Sequence, residues 1–253
     1  MVKFSIITVA RNAENSLEKS IESIKKQSYS NYEWIFIDGN SSDNTLEIIQ
    51  RSLLKPDILL KMEPTGVYSA LNKGIELSSG DYVVFLHADD FWEHEKYLAN
   101  YAEIIENNKN SLKFLYSNVF YVNFLEKVTR KWKSKEFSRL DLIFGWMPPH
   151  STVCVNTQFL LQKNIWFDNS YNISADYDWC LNCFEYLKDK EIKYVSKNYL
   201  IMQGGGASNG SISKYISSFK QDLTITRNHF GKLNVFTTII KRSRKITQFL
   251  DRW

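Results

Sequence analysis

Cysteine is scarce in this 253-residue chain: there are three, an odd set. That argues against a disulfide framework and fits a reducing compartment. Cys180 and Cys183 form a C-x-x-C inside an amphipathic helical pattern, with no second pair to complete a zinc site, so they read as buried thiols. No apolar run approaches the length that spans a bilayer. The N-terminus enters a strand pattern at once, without the basic-apolar-cleavage order of a secretory signal, so a cytoplasmic protein is expected. Charge of one sign is not in excess. The net charge of +4 gives no concentrated basic face and argues against a nucleic-acid partner. No G-x-G-x-x-G follows the first strand pattern and no Walker A sequence occurs, so dinucleotide-binding and P-loop classes lack their phosphate cradle. Internal repeats and low-complexity linkers are also missing.

What is present is an alternation. Lys3–Val9 reads as a strand, and Asn12 stands where a helix N-cap would. Leu17, Ile21 and Ile24 recur at helical spacing. Tyr32–Ile37 is a second strand, followed by the turn formers Asp38 to Asp43. Leu46, Ile49 and Leu53 mark a helix, Ile58–Lys61 a short strand, and Val67, Leu71 and Ile75 another helix. Strand and helix alternating over about ninety residues is the signature of a doubly wound, mostly parallel sheet. The second half is less regular. It reads as a helix from Tyr97, an aromatic-rich strand region over Leu112–Phe124, and a short helix over Leu140–Phe144. An exposed-looking loop over Gly145–His150 and a strand over Thr152–Val155 follow. Then come a helix over Asp176–Leu187 and a strand region over Ile192–Met202. The glycine run Gly204–Gly210 has little intrinsic structure and reads as a lid. Two helices, Ile212–His229 and Leu233–Leu250, close the chain.

The chain is organised around Gly80–Asp90. Asp81 to Leu86 form a nearly continuous apolar run, a central strand buried on both faces, and it runs out into Asp89 and Asp90. Open α/β sheets bind ligands at the carboxyl ends of their strands. Carboxylates there can hold a hard divalent cation, which can hold a diphosphate. The competing reading is that the pair caps a following helix.

Four pieces in order then resemble the family 2 glycosyltransferases. They are Phe4–Asn12, Ile35–Thr45, Gly66–Gly74 leading through Gly80-Asp81 to Asp89-Asp90, and Ser174–Trp179. The resemblance implies an α/β, GT-A (Rossmann-like) fold: a mostly parallel central sheet flanked by helices, with a C-terminal helical extension. It implies a GT-A domain over 1–210, divided into a nucleotide-binding half (1–95) and an acceptor-binding half (96–210), followed by helices over 211–253. By the same resemblance Thr8 and Asp38 are the base-binding residues, Asn72 contacts the nucleotide, Asp89 touches the ribose, and Asp90 ligates Mn²⁺ or Mg²⁺. Asp38 also reads as the builder of an Asp-Gly turn, and Asn72 as an ordinary surface residue. Asp176 matches the general base, with a helix N-cap as its bland reading and Asp178 as a competitor. His150 and Trp146 fall on the acceptor side, Trp146 as an apolar sugar-stacking wall; a loop histidine reads equally well for the first, and a core tryptophan reads better for the second. His87, His94 and His229 show no metal-cluster spacing. The loop Glu63-Pro64-Thr65-Gly66 is one residue shorter than the family pattern, a departure that bears on the contacts of that loop and not on the fold.

The implied function is an inverting transfer from a nucleotide-diphospho-sugar, UDP-sugar favoured, to a hydroxyl of a glycan or lipid-linked acceptor in bacterial surface-polysaccharide synthesis of the O-antigen or capsule kind. Two other classes stand beside it. A sugar-nucleotide nucleotidyltransferase should carry a basic glycine-rich loop where Ala10-Arg11-Asn12 stands, and a non-catalytic sugar-nucleotide-binding protein would need no base. At the C-terminus Phe236, Ile239, Ile240, Ile246, Phe249 and Leu250 alternate with Lys241, Arg242, Arg244, Lys245 and Arg252. Such a helix can lie on an anionic membrane surface at the cytoplasmic face, or present a solvated basic face while packed on the domain.

Overall fold

The computed structural model describes residues 1–123, 125–203 and 212–250. The glycine run over 204–210, expected to form a lid, lies outside the described residues, as do the side chains of Lys245, Ile246, Phe249, Leu250 and Arg252.

Three apolar strands, β1 (Phe4–Ala10), β2 (Tyr32–Asp38) and β4 (Tyr82–Phe85), lie at the centre, with β3 (Ile58–Lys61) outside β2. All pairings among these four are parallel. Their carboxyl ends therefore share one edge, and the register sets Asp38 beside Ala10. Helices α1 (Leu17–Lys25), α2 (Thr45–Arg51) and α3 (Val67–Leu77) make the crossovers. Leu17, Ile21 and Ile24 of α1, spaced to one face, are buried. Helix α3 packs so closely that a Cβ on Gly74 would lie 2.5 Å from Ile7 Cγ2, so only glycine lets it seat on β1.

The rest of the sheet changes direction. Strand β8 (Cys154–Asn156) runs antiparallel to both β4 and β6 (Phe114–Val122). Next come β9 (Ile192–Gln203), parallel to β6, and β5 (Asp90–Trp92), antiparallel to β9. Strand β7 (Val128–Trp132) hangs off β6. Helices α4 (Tyr97–Asn107), α5 (Arg139–Ile143), α6 (Thr157–Lys163) and α7 (Ala175–Tyr186) cover this half. The hairpin of α8 (Ile212–Phe230) and α9 (Asn234–Leu250) completes the described chain. Strand β7 and helix α6 were not expected from the sequence.

Two sequence expectations are corrected. Asn12 caps no helix: α1 begins five residues later, and Asn12 takes a left-handed backbone (φ 53°). The Gly145–His150 loop is not exposed. Trp146, Met147, Pro148 and Pro149 are all buried, because this segment covers the aromatic core beneath α7.

At the amino-terminal edge of the sheet sits a buried carboxylate. Glu33 accepts hydrogen bonds from Ser5 Oγ (2.5 Å), Ser79 N (2.6 Å), Ser79 Oγ (2.6 Å), Gly80 N (3.1 Å) and Lys3 Nζ (3.0 Å). Burial pushes its pKa up, but these donors outweigh burial and hold it at about 2.

Candidate active site

The candidate crevice is assigned to the shared carboxyl edge of β1, β2 and β4. Its floor is made by two loops laced together. Asn12 Oδ1 accepts from Ser42 N (2.9 Å), and Ser41 Oγ accepts from Asn12 N (2.9 Å). Asp43 accepts from Glu14 N (3.0 Å), and Glu14 in turn accepts from the Asn44 amide (2.7 Å). Sequence reading missed Asn12 and Asp43 as lacing residues, since Asn and Asp followed by a helical pattern look like ordinary caps. Within this floor Asp38 Oδ2 accepts from Ser41 N (3.0 Å), while Oδ1 is buried with no hydrogen-bond partner among the described residues.

Thr8 and Asn72 are spent differently. The Thr8 hydroxyl accepts from Trp34 Nε1 (3.0 Å) and is fully buried between sheet and helices. Asn72 clamps the Phe167 backbone: Nδ2 donates to Phe167 O and Oδ1 accepts from Phe167 N, both at 2.8 Å. In this structure both side chains tie elements together.

The chain leaves β4 and turns tightly, with Asp90 N donating to His87 O (3.0 Å). No helix follows. Asp90 opens β5 directly, so the helix-capping reading of the Asp89–Asp90 pair is set aside. Asp89 is half-buried and Asp90 fully so, and neither Asp90 carboxylate oxygen has a hydrogen-bond partner among the described residues. Burial, with Asp89's charge added, raises the Asp90 pKa well above the carboxylate range. A buried, doubly orphaned carboxyl beside another carboxylate is costly without a counter-charge. The donor set is hard oxygen, so the residues fit a divalent cation. Among the described residues no group of three or more His, Cys, Asp or Glu comes together to cage one. Of the described carboxylates, Asp90 with Asp89 beside it would hold a cation here.

Asp176 lies in the first turn of α7, where the helix dipole favours a negative charge, and its Oδ1 accepts from Tyr177 N (2.9 Å). Two tyrosines report where it sits. Burial raises the pKa of Tyr68, and Asp176's charge adds to it. Tyr121 on β6 is raised by burial, lowered by Arg130, and raised again by both Asp90 and Asp176. The Arg130 guanidinium lies 4.4 Å from the Tyr121 ring centroid. Asp90 and Asp176, far apart in sequence, thus act on one side chain. Tyr121 and Arg130 come from a strand pair with no motif, so no sequence signal marks them.

Asp178, the rival to Asp176, is turned away. It accepts from Asn182 Nδ2 (2.9 Å) and pairs with His229 Nε2 (3.2 Å). His150 is held in a ring of aromatics, its centroid 5.0 Å from Phe85, 5.3 Å from Phe167 and 5.8 Å from His87. Burial, with His87 adding, lowers its pKa to about 3, so the ring is neutral. Its Nε2 is buried and without a partner among the described residues. Trp146 is corrected outright as an acceptor-side wall. It is buried against Tyr116, Phe137 and Phe184 and belongs to the core. Cys180 and Cys183 are fully buried thiols whose pKa burial raises.

Three comparisons bear on this crevice. Residues 5–166 match the model for glycosyl transferase family 2. The chain is 28% identical over 248 residues to the amylovoran biosynthesis glycosyltransferase AmsB of Erwinia amylovora, covering 93% of this chain and 81% of the relative. It is 32% identical over 120 residues, 47% of this chain and 46% of the relative, to WfgD of Escherichia coli. WfgD is described as a UDP-Glc:alpha-D-GlcNAc-diphosphoundecaprenol beta-1,3-glucosyltransferase. The S. aureus TarS 1-349 structure in complex with UDP-GlcNAc superposes with a TM-score of 0.70 at 19% identity, covering 99% of this chain and 72% of that one. The likeness to TarS shows the fold, an α/β GT-A architecture with a C-terminal helical region. With the family model spanning well over half of its length, the chain belongs to glycosyl transferase family 2 and is a glycosyltransferase.

Proposed function

We propose that this enzyme moves a sugar from a nucleotide-diphospho-sugar, UDP-sugar favoured, to a hydroxyl of a glycan or lipid-linked acceptor, with inversion at the anomeric carbon. The observation that carries the reading is the buried Asp90 carboxyl at the end of β4, both oxygens without a hydrogen-bond partner among the described residues, with Asp176 in the first turn of α7 as the second carboxylate. One carboxylate fits the leaving-group side and the other the acceptor side. The names of AmsB and WfgD support polysaccharide assembly, and WfgD's name supports a lipid-linked acceptor. The TarS complex supports a UDP-sugar donor. Residues 1–95 would form the nucleotide half, 96–210 the acceptor half and 211–253 a helical extension.

Asp38 offers its unpartnered Oδ1 to a base N–H at the strand end. Asp89, beside Asp90 after β4, would meet a ribose hydroxyl. Mn²⁺ or Mg²⁺ held by Asp90 would neutralise the diphosphate leaving group. Asp176 takes the proton of the acceptor hydroxyl as its oxygen attacks the anomeric carbon. The bond from that carbon to the diphosphate oxygen breaks as the new glycosidic bond forms, and the nucleoside diphosphate departs. One displacement inverts the configuration. His150, neutral and walled by Phe85 and Phe167, would back the acceptor side without supplying charge.

No described helix is long and apolar enough to cross a membrane. Val235, Phe236 and Ile239 of α9 are exposed, as are Leu140 and Phe144, whose ring packs on Phe236, and they support apolar contact with a membrane surface. Two expected basic residues of that surface are turned inward, because Lys241 and Arg242 pair with buried Asp222. Binding to anionic vesicles should therefore fall with Phe236→Ser plus Ile239→Ser and respond weakly to salt.

Calorimetry with UDP, GDP and dTDP, each with and without Mn²⁺, on wild type and Asp90→Ala, tests the donor side. Metal-dependent binding of UDP that Asp90→Ala loses is the expected result. No binding of any nucleotide by folded protein would overturn the assignment of this crevice.

A further inference from the structure

Helix α7 has no side-chain N-cap of its own, although it carries the carboxylate assigned as base. The segment that leads into the helix is instead held from the far end of the chain. Gln221 on α8 accepts from Ile173 N and Ser174 N with the same Oε1, both at 3.1 Å. Two backbone donors fix the orientation of that amide, and its Nε2 donates to Ser217 Oγ (3.3 Å). On the other side the Tyr68 hydroxyl donates to Ile173 O (2.7 Å). The peptide unit entering α7 is thus gripped by α3 on a carbonyl and by α8 on its N–H groups. Ser174 O then takes the first-turn donors Tyr177 N (3.1 Å) and Asp178 N (3.3 Å). Asp176 stands two residues beyond Ser174.

The grip repeats along one face of α8. Gln221, Ile225 and His229 are spaced i, i+4, i+8, which places them on one stripe. Ile225 is fully buried, and His229 holds Asp178 at 3.2 Å. From α9, Lys241 Nζ lies 4.0 Å from the Tyr177 ring centroid while pairing with Asp222 on α8 at 2.6 Å. The residues on either side of Asp176 in the α7 first turn are therefore anchored to the C-terminal hairpin.

We infer that Gln221 is a positioning residue for Asp176: its side-chain carbonyl holds the Ile173–Ser174 backbone and so sets where the base stands relative to the acceptor. The inference rests on Asp176 being the base. A proton acceptor displaced by about 1 Å can lose roughly a hundredfold in rate, whereas Asp38 and Asp90, assigned to the nucleotide and its cation, make none of these contacts.

The test compares wild type, Gln221→Leu, Gln221→Glu, Asp176→Asn and the Gln221→Leu/Asp176→Asn double variant. Three readouts are used: UDP release from UDP-glucose and UDP-N-acetylglucosamine with water as acceptor, UDP affinity by calorimetry, and amide exchange over 171–178. Gln221→Leu should lower kcat roughly ten- to hundredfold with the UDP Kd unchanged and raise exchange over 171–178. Gln221→Glu, which keeps the acceptor oxygen, should restore most of both. In the Asp176→Asn background Gln221→Leu should cost nothing more, since it acts through that carboxylate. Wild-type exchange over 171–178 in Gln221→Leu would overturn the inference even if turnover is slow, as would a full further loss in the double variant. Asp176→Asn turning over at the wild-type rate would instead remove the base assignment on which the inference rests.

Discussion

His229 Nε2 stands 3.2 Å from Asp178 Oδ1, so one of the two carboxylates in the first turn of α7 is spent holding the C-terminal hairpin. Asp178 and His229 are both nearly buried, and Asn182 takes the other Asp178 oxygen. Asp176 shares the turn but acts on Tyr68 and Tyr121. The two positions should therefore part company on mutation. Asp176→Asn is expected to lower kcat by about 10²–10⁴-fold with little change in melting temperature. Asp178→Asn still offers His229 an acceptor. It should keep kcat within roughly threefold and lower stability by about 1 kcal/mol. Steady-state rates and thermal melts on the two variants check this, and equal rate losses would contradict the division of labour.

Asp90 presents the opposite trade. Both of its oxygens are buried without a hydrogen-bond partner among the described residues, and burial and Asp89 raise its pKa well above the usual range. The folded chain therefore binds this proton more tightly than the unfolded chain. The stability it contributes is present below the unfolded value of 3.8 and declines as pH rises through the folded value. Asp90→Asn should consequently stabilise the metal-free, nucleotide-free protein at pH 7 by about 1–2 kcal/mol, and the gain should shrink toward pH 4. The same variant should lose metal-dependent UDP binding. Melting curves with EDTA at pH 4 and 7, beside calorimetry, give both readings. A destabilised Asp90→Asn would mean that the carboxylate is satisfied in the free protein.

How much of this was legible in the chain follows from where each partner comes from. Strands β1, β2 and β4 could be read because each is a short apolar run buried on both faces, and α1 and α3 because their apolar residues recur on one face. The Asp89–Asp90 turn could be read because it ends such a run. Strand β7 (Val-Thr-Arg-Lys-Trp) could not, since it hangs off β6 and carries no apolar period. The loop with Gly145, Pro148 and Pro149 looked exposed because those residues punctuate chains. Trp146 and Met147 override that by filling the core under α7. Asn12 fits a cap and a left-handed turn equally well by residue type, and only the approach of Ser41 and Ser42 decides. Gln221, His229 and Tyr121 act across long separations, so no local spacing announces them.

Glu33 should govern acid stability. Five donors hold its carboxyl at about 2 against an ordinary value of 4.5, worth roughly 3 kcal/mol. Because the folded value is depressed, that stability is fully present above about pH 4.5 and is lost as pH falls toward 2. Glu33→Gln puts an NH₂ among those donors and should cost about 2–4 kcal/mol at pH 7. Urea titrations of the two proteins should converge as pH approaches 2. Parallel curves, offset equally at pH 7 and pH 3, would show that the loss is packing and not charge.

Gly145 is where the C-terminal hairpin meets the rest of the molecule. Its φ is +68°, a conformation that burdens any side chain, and a Cβ there would lie 2.6 Å from the Lys241 Cα and backbone N. The obstacle is the α9 main chain, not a flexible tip, so α9 would have to move. Lys241 is the residue that bridges Asp222 to the Tyr177 ring, directly beside Asp176. Gly145→Ala is thus expected to do two things. It should lower stability by about 2–4 kcal/mol, from strain and overpacking together. It should also reduce kcat well below wild type at temperatures where the protein remains folded, with the UDP Kd unchanged, because the hairpin that grips α7 is displaced while the β1–β2–β4 edge is not. Thermal melts and UDP-release rates measured at least 15 °C below the transition separate the two effects. A destabilised variant with wild-type kcat would show that the Lys241 contact braces the fold without reaching the candidate base.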